Sequence, residues 1–282
     1  MGDGWMRVYM IDWALFIVQL PNNKIWCIDT GYDRGGRFQG IPFIKNNLGQ
    51  FGIEGIIISH FHPDHVGGAS HLIQGFHGAV ETVYSSGVYT SGEGNGARVN
   101  DLERQSEFKD TMSKYGIDYQ YVKRGDILKS GIATIEILGP KQEYVADIPK
   151  TTDDPNDEHG VITRFRYGDF SFLYLGDIRK FGLEEIFQDP SIDPSCTILQ
   201  AGHHGDSTRL DENLLNLWNP AYVLVEPGTN NEATRTLLGN KSIPYAFLND
   251  GNAEIIGDSD GSFTVNRNIN IDYILGRLSI NE

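Results

Sequence analysis

The sequence predicts an α/β fold in which two β-sheets pack face to face between outer helices, forming a four-layer αββα sandwich. Short apolar, β-branched runs alternate with helical patterns, and this alternation occurs twice along the chain. Glycine is frequent, with 33 of 282 residues, which favours many strands and turns over long helices. A histidine-rich segment, residues 60–65, directly follows a buried strand, where a rigid sheet edge holds side chains in fixed directions. We expect one domain over residues 1–282.

The first half of the chain is predicted to be rich in strands. Strands are predicted at residues 7–11, 14–19, 24–29, 53–59, 80–84, 117–122, 127–128 and 132–138. Helices are predicted at residues 41–50, 69–75 and 101–115, the last with Asp101 as its N-cap. A glycine-rich loop is expected at residues 85–100.

The second half repeats the pattern after a polar segment, residues 150–158, which we interpret as a surface loop rather than a domain boundary. Strands are predicted at residues 161–167, 170–175, 197–200, 222–225, 245–248, 254–256, 262–265 and 270–275. Helices are predicted at residues 181–188, 210–218 and 231–239.

Composition restricts the classes of partner. The net charge of −15 repels polyanions, so it disfavours a sequence-independent grip on nucleic acid. Arg164 and Arg166 share one face of a predicted strand, and we expect both to face solvent. The sequence indicates a small-molecule or phosphoester substrate and gives no oligomeric state.

The sequence also carries expectations about compartment. Cys27 and Cys196 lie in apolar runs and are most simply buried free thiols. We find no signal peptide and no run long enough to span a membrane, which makes a cytoplasmic location the default expectation.

Four possible metal ligands occur within six positions: His60, His62, Asp64 and His65. Residues two apart in an extended segment point the same way, so His60 and His62 converge on one ion. Asp64 and His65 lie beyond the bend at Pro63 and turn toward a second ion. Imidazole and carboxylate suit zinc and its first-row neighbours.

Three further places offer ligands just after a strand or at a turn: His159, Asp177 and the pair His203 and His204. Asp177 is suited to bridge two ions because its two oxygens can each meet one, although it is also placed to cap the following helix. His159 has an alternative interpretation, because a lone histidine in a polar loop is ordinarily a solvent-exposed residue and not a ligand.

Two more aspartates have two equal interpretations. Asp12 and Asp29 either orient the metal-binding histidines or form turns.

The motif His60-x-His62-x-Asp64-His65 resembles the signature of the metallo-β-lactamase superfamily. Other segments resemble the hydrolase domain of bacterial competence (DNA-uptake) channel proteins, a group that is also similar to phosphorylcholine esterase domains. These segments are residues 12–17, 23–31, 156–177, 203–205 and 247–251. The resemblance implies the metallo-β-lactamase fold over nearly the whole chain.

The resemblance also implies roles for individual residues. The first ion would be bound by His60, His62 and His159, and the second by Asp64, His65 and His203. Asp177 would bridge the ions, and His204 would face the substrate. Asp64 and His204 are therefore expected to act in catalysis.

The implied cofactors are two divalent ions, Zn²⁺ or alternatively Mn²⁺, and the implied activity is hydrolysis of a phosphodiester or phosphoester by a metal-bridging hydroxide. The same site could instead hydrolyse an ester, lactone or β-lactam, or the chain could be a catalytically silent metal-binding module. The chain departs from the competence-type pattern at Asp206, after the double histidine, and at residues 231–234, which stand in place of Asn-x-x-Gly-His-Pro. The second departure disfavours nucleic-acid processing.

Overall fold

The computed structural model describes residues 4–32, 36–87, 99–141, 160–226, 228 and 231–269. Strands of the first half are β1 (Met6–Asp12), β2 (Leu15–Gln19), β3 (Ile25–Ile28), β4 (Ile53–Ile57), β5 (Val80–Ser85), β6 (Asp118–Tyr121), β7 (Ile127–Ser130) and β8 (Ala133–Gly139). Strands of the second half are β9 (Ile162–Tyr167), β10 (Phe170–Tyr174), β11 (Ile198–Gln200), β12 (Tyr222–Val225), β13 (Tyr245–Phe247), β14 (Ala253–Gly257) and β15 (Phe263–Arg267).

The described helices lie between these strands. They are α1 (Pro63–Val66), α2 (Ala69–Gly75), α3 (Val99–Tyr115), α4 (Lys180–Gln188), α5 (Glu212–Trp218) and α6 (Asn231–Asn240). Two short π-helical segments, Gly36–Gly40 and Phe43–Asn47, precede β4, and one 3₁₀ turn, Leu248–Asp250, follows β13.

The strands form two mixed sheets. The first has eight strands in the order β15-β14-β1-β2-β3-β4-β5-β6, and the second has seven in the order β13-β12-β11-β10-β9-β8-β7. Strands β3 to β6 run parallel in the first sheet, and β10 to β13 run parallel in the second. Carboxyl ends of neighbouring parallel strands meet at one sheet edge, so the loops that follow β10 and β11 lie side by side in the second sheet. The loop that follows β4 belongs to the first sheet, and its Ser59 accepts the backbone amide of Val161, which precedes β9 of the second sheet.

Three apolar clusters confirm the four-layer arrangement. Phe16 and Met10 of the first sheet pack with Phe172 and Tyr174 of the second, forming the layer between the sheets. Tyr9, the neighbour of Met10, points to the opposite face of β1 and packs in the cluster of the π-helical segments, α2 and α3. The outer face of the second sheet packs against α4, α5 and α6. Both faces of the central strands are therefore buried.

Most predicted elements are confirmed with small shifts at their ends, and a few expectations were wrong. The helix expected at residues 41–50 consists of the two π-helical segments and starts at Gly36. Helix α3 begins at Val99, so Asp101 lies inside it and is not its N-cap. The strand expected at residues 53–59 ends at Ile57, and α1 was not predicted. The segments 88–98, 150–158 and 270–275 lie outside the described residues.

Arg164 corrects a further expectation, because it is buried rather than solvent-facing. Its guanidinium pairs with Glu136 at 2.6 Å and donates to the backbone oxygens of Asp193 and Ser195. A charge on β9 is tolerated because the neighbouring strand and the 193–195 segment supply its acceptors.

The predicted buried thiols are confirmed: Cys27 and Cys196 are both free and buried. None of the helices among the described residues combines the length and the apolar character needed to cross a membrane.

Candidate metal centre

The first group of ligands comes from the extended segment that leaves β4. Phe61 is fully buried and packs toward Phe108, with ring centroids 5.9 Å apart. The alternation of an extended chain turns His60 and His62 to the other side. The Nε2 atom of His60 lies 2.9 Å from Nδ1 of His62, so the two imidazoles converge as the sequence predicted.

The second group is formed by the short helix α1. Pro63 occupies its first position, and the carbonyl oxygen of His62 accepts the amides of His65 and Val66 at 3.0 Å. This turn directs His65 away from the preceding extended segment, and its imidazole is fully buried. Its Nε2 atom lies 3.6 Å from Oδ2 of Asp64.

Asp177 lies between the two groups. It follows β10 after Gly176, whose φ of +58° suits glycine and where an added Cβ would lie 3.0 Å from the side chain of Ser59. Oδ1 of Asp177 lies 3.4 Å from Nε2 of His65, and Oδ2 lies 3.9 Å from Nε2 of His60. A single buried carboxylate therefore reaches histidines of both groups. The N-cap position of α4 belongs to Arg179, not to Asp177.

His203 and His204 lie in a left-handed turn, with φ values of +49° and +55°, rather than at a strand end. The two side chains therefore do not alternate between opposite faces as they would in an extended strand. Nε2 of His204 lies 3.5 Å from Oδ2 of Asp177 and 3.1 Å from Oδ2 of Asp64. His203 is further out: its Nε2 is 3.8 Å from Asp177, and its Nδ1 is 3.4 Å from Oδ2 of Asp206.

Two possible metal sites result, and they share Asp177. One is formed by His60, His62 and Asp177, and the other by Asp64, His65, Asp177 and His204; within each group the candidate ligand atoms lie within 4.8 Å of one another. Around a tetrahedral ion with bonds of about 2.0–2.1 Å, ligand atoms are about 3.4 Å apart. The separations of 3.4–3.9 Å between the carboxylate oxygens of Asp177 and the Nε2 atoms of His60, His65 and His204 are close to that spacing.

Two buried polar atoms also fit an ion. Nε2 of His65 and Oδ1 of Asp177 have no hydrogen-bond partner among the described residues. Buried polar atoms without a partner are costly unless another ligand completes them. A divalent cation bound between these two atoms would give each of them the missing interaction partner.

Asp29 fixes the orientation of His65. Its Oδ2 atom accepts hydrogen bonds from His65 Nδ1, Ser59 Oγ and Tyr174 Oη, at 2.7, 2.6 and 2.6 Å. Its Oδ1 atom accepts the backbone amide of Ser59 at 2.7 Å. With the proton of His65 held on Nδ1, the lone pair of Nε2 faces the site, as metal-binding histidines require.

The electrostatics match ionised carboxylates and a neutral His60. Burial raises the pKa of Asp177, but His65 and His204 outweigh it and hold this pKa well below its usual value. Burial, together with neighbouring histidines, holds the pKa of His60 well below its usual value. Burial lowers the pKa of His65, but the nearby carboxylates, led by Asp177, outweigh it and raise this pKa. Ionised carboxylate and neutral imidazole are the forms that bind metals, so an ion bound at His65 would displace the proton that the carboxylates favour there.

The sequence reasoning missed Glu226, Trp13 and the hydroxyls around Asp29. Glu226 is fully buried and accepts the amide of Ala14 at 2.5 Å and the side chain of Gln200 at 2.7 Å. It directly follows the parallel strand β12, and that position is the signal that could have revealed it. His159 lies outside the described residues, although Val161 donates its amide to the oxygen of Ser59 at 2.7 Å.

Comparison with known protein families matches residues 27–228 to the metallo-β-lactamase superfamily. The chain belongs to this superfamily. Its four-layer sandwich is the metallo-β-lactamase fold, which is a fold of metal-dependent hydrolases. The candidate metal centre is formed at the carboxyl ends of its parallel strands.

Individual relatives are distant. The chain is 24% identical over 192 residues to ComE operon protein 3 of Bacillus subtilis (strain 168), covering 68% of this chain but only 22% of that protein. Igni18, a metallo hydrolase from Ignicoccus hospitalis KIN4/I, superposes with a TM-score of 0.52 at 11% identity, covering 93% of this chain and 99% of that one. CmlA, a diiron β-hydroxylase from Streptomyces venezuelae, superposes with a TM-score of 0.51 at 12% identity, covering 93% of this chain and 54% of that one. These superpositions reflect a shared fold.

Proposed function

We propose that this chain is a binuclear metal-dependent hydrolase that cleaves a phosphodiester or phosphoester. The observation that carries the proposal is the position of Asp177, whose carboxylate is shared by the two possible metal sites. When bound, two ions about 3.5–4 Å apart would lower the pKa of a water held between them and stabilise the attacking and leaving oxygens of an in-line displacement.

The first ion is proposed to be held by His60, His62 and Asp177, with His159 completing the set. The backbone bond from Val161 to Ser59, next to His60, supports this role for His159. The second ion is proposed to be held by Asp64, His65, Asp177 and one histidine of the double-histidine turn.

Two observations bear on the choice between these two histidines, and they point in opposite directions. The separations favour His204, because its Nε2 is within 3.5 Å of two carboxylates. The indole of Trp13 favours His203, because its Nε1 donates to Nδ1 of His204 at 2.8 Å, which leaves the imidazole proton on Nε2, facing Asp64. Proton positions rearrange when a metal binds, so we give the separations more weight.

We therefore propose His204 as the ligand and His203, which is about one-third exposed, as the residue that faces the substrate. This reverses the roles that the sequence resemblance implied. Metal analysis of His203→Ala and His204→Ala tests the choice: His204→Ala should lose one equivalent of metal, while His203→Ala should keep both and lose turnover. The opposite result would restore the roles first expected.

The activity itself is tested with the purified chain and a chromogenic phosphodiester such as bis(4-nitrophenyl) phosphate. Chelator treatment should abolish hydrolysis, and Zn²⁺ or Mn²⁺ should restore it, with Fe²⁺ tested alongside because the fold also occurs in the diiron CmlA. Lactone and β-lactam substrates run in parallel separate the ester and lactam alternatives. Phosphodiester hydrolysis that is indifferent to metal would refute the proposal.

A further inference from the structure

Two aromatic rings lie side by side next to the second metal group. The ring centroids of Trp13 and His204 are 5.4 Å apart, and those of Trp13 and Tyr32 are 6.0 Å apart. The Trp13 and Tyr32 rings are nearly perpendicular, at 86°. Tyr32 keeps 48% of its surface exposed, so the pair forms a corner that is accessible from solvent.

The backbone around this corner is fixed to the metal centre from both sides. Ala14, next to Trp13, donates its amide to the buried Glu226 and accepts the amide of Gly31, next to Tyr32, at 2.9 Å. Thr30 in turn donates its amide to the oxygen of His65 at 2.8 Å. The distance from the corner to the second ion's ligands is therefore set by a continuous chain of hydrogen bonds.

We propose that Trp13 and Tyr32 form a subsite for a planar aromatic group carried on the leaving-group side of the substrate. This inference rests on the proposed hydrolase function and adds the class of leaving group to it. Perpendicular rings offer one face for offset stacking and one edge for a T-shaped contact, the two arrangements that aromatic pairs prefer.

We assign the corner formed by Trp13 and Tyr32, which lies beside the second metal group, to the leaving group of the reaction. In the hydrolysis, the water oxygen bonds to phosphorus and the bond from phosphorus to the leaving oxygen breaks with its electron pair. The leaving oxygen takes up a proton derived from that water. The corner holds the ring attached to this oxygen and takes no part in the proton transfer.

The test compares benzyl with cyclohexylmethyl compounds, because the two groups are similar in size and the parent alcohols in acidity, and only one has a π face. Binding of benzylphosphonate and cyclohexylmethylphosphonate to the metal-loaded chain is measured by calorimetry, and kcat/KM is measured for the corresponding methyl phosphodiesters. Because an aromatic pair contributes about 0.5–1.5 kcal/mol beyond burial, the benzyl compound should be favoured about 2- to 12-fold.

Tyr32→Ala should bring the benzyl-to-cyclohexylmethyl ratio close to one, and Tyr32→Phe should retain it. Phe51→Ala is the matched control, because Phe51 is 72% exposed and precedes β4, at the opposite end of that strand from His60. A wild-type ratio near one, an unchanged ratio in Tyr32→Ala, or an equal loss in Phe51→Ala would overturn the subsite.

The two proposals fail in different ways. Phosphodiester hydrolysis without any benzyl preference leaves the hydrolase function standing and removes the subsite. A benzyl preference in phosphonate binding without phosphodiester turnover supports the subsite and removes the proposed reaction.

Discussion

Replacing Asp29 by asparagine tests how the protein holds its second metal group. The carboxylate accepts four hydrogen bonds, three on Oδ2 and one on Oδ1. An amide has one oxygen and one NH₂ group, so one side must present hydrogens to donors. If the NH₂ faces Ser59, the backbone amide loses its acceptor. If it faces His65, the imidazole must move its proton to Nε2 or lose its partner.

Both orientations have a measurable cost. An unsatisfied buried donor costs about 1–3 kcal/mol, so urea denaturation of the metal-free chain should show a loss of at least that size. Moving the His65 proton to Nε2 blocks metal binding there, and loss of such an outer partner weakens metal affinity by about 10–100-fold. Calorimetric titration with Zn²⁺ should show one of the two equivalents weakened by this factor.

Asp12→Asn is the matched control, because Asp12 is the other aspartate that is predicted either to orient a histidine or to form a turn. It ends β1, and burial raises the pKa of its carboxyl, while its hydrogen bonds go to Trp13 and Gln39 rather than to a histidine of the centre. The Asp12→Asn variant should bind both equivalents of Zn²⁺ with wild-type affinity. Wild-type zinc affinity in Asp29→Asn would refute the orienting role.

Four further substitutions have defined outcomes. Asp177→Asn should remove the shared carboxylate and reduce bound metal from two equivalents to one or none by elemental analysis, and retention of both would contradict its bridging role. In Glu226→Gln an NH₂ group would face either the backbone amide of Ala14 or the side-chain amide of Gln200, and that donor would lose its acceptor. The free energy of unfolding measured in urea should therefore fall by about 1–3 kcal/mol. Gly68→Ala should destabilise by about 1–3 kcal/mol, because its Cβ would overlap a backbone oxygen. Gly239→Ala, on a helix with open space around it, should instead stabilise by up to about 1 kcal/mol.

The metal-binding segment was predictable because its determinants are local. A β-branched run, a histidine-x-histidine spacing and a proline suffice to place His60 and His62 on one side and to predict a bend at Pro63, although not the short helix α1 that begins there. Asp177 was a candidate ligand because it, like His60, directly follows a predicted strand. The two strands, β10 and β4, belong to different sheets, so only the packing of one sheet on the other brings these two residues together.

Other features depend on contacts between distant parts of the chain. The left-handed turn at His203 and His204 leaves no mark in the sequence beyond the glycine that follows, so the choice between them could not be made from spacing. Arg164 alternates with apolar residues like a solvent-facing position, and only its pairing with Glu136 on the adjacent strand explains its burial. The contact of Trp13 with His204 spans 191 positions.

The most direct test of the account is the metal stoichiometry of the chelator-treated chain after it is titrated with Zn²⁺ and freed of excess metal. Two sites that share one carboxylate predict close to two zinc ions per chain in the wild type. Zero or one ion per chain in correctly folded protein would contradict the binuclear centre and the hydrolase built on it.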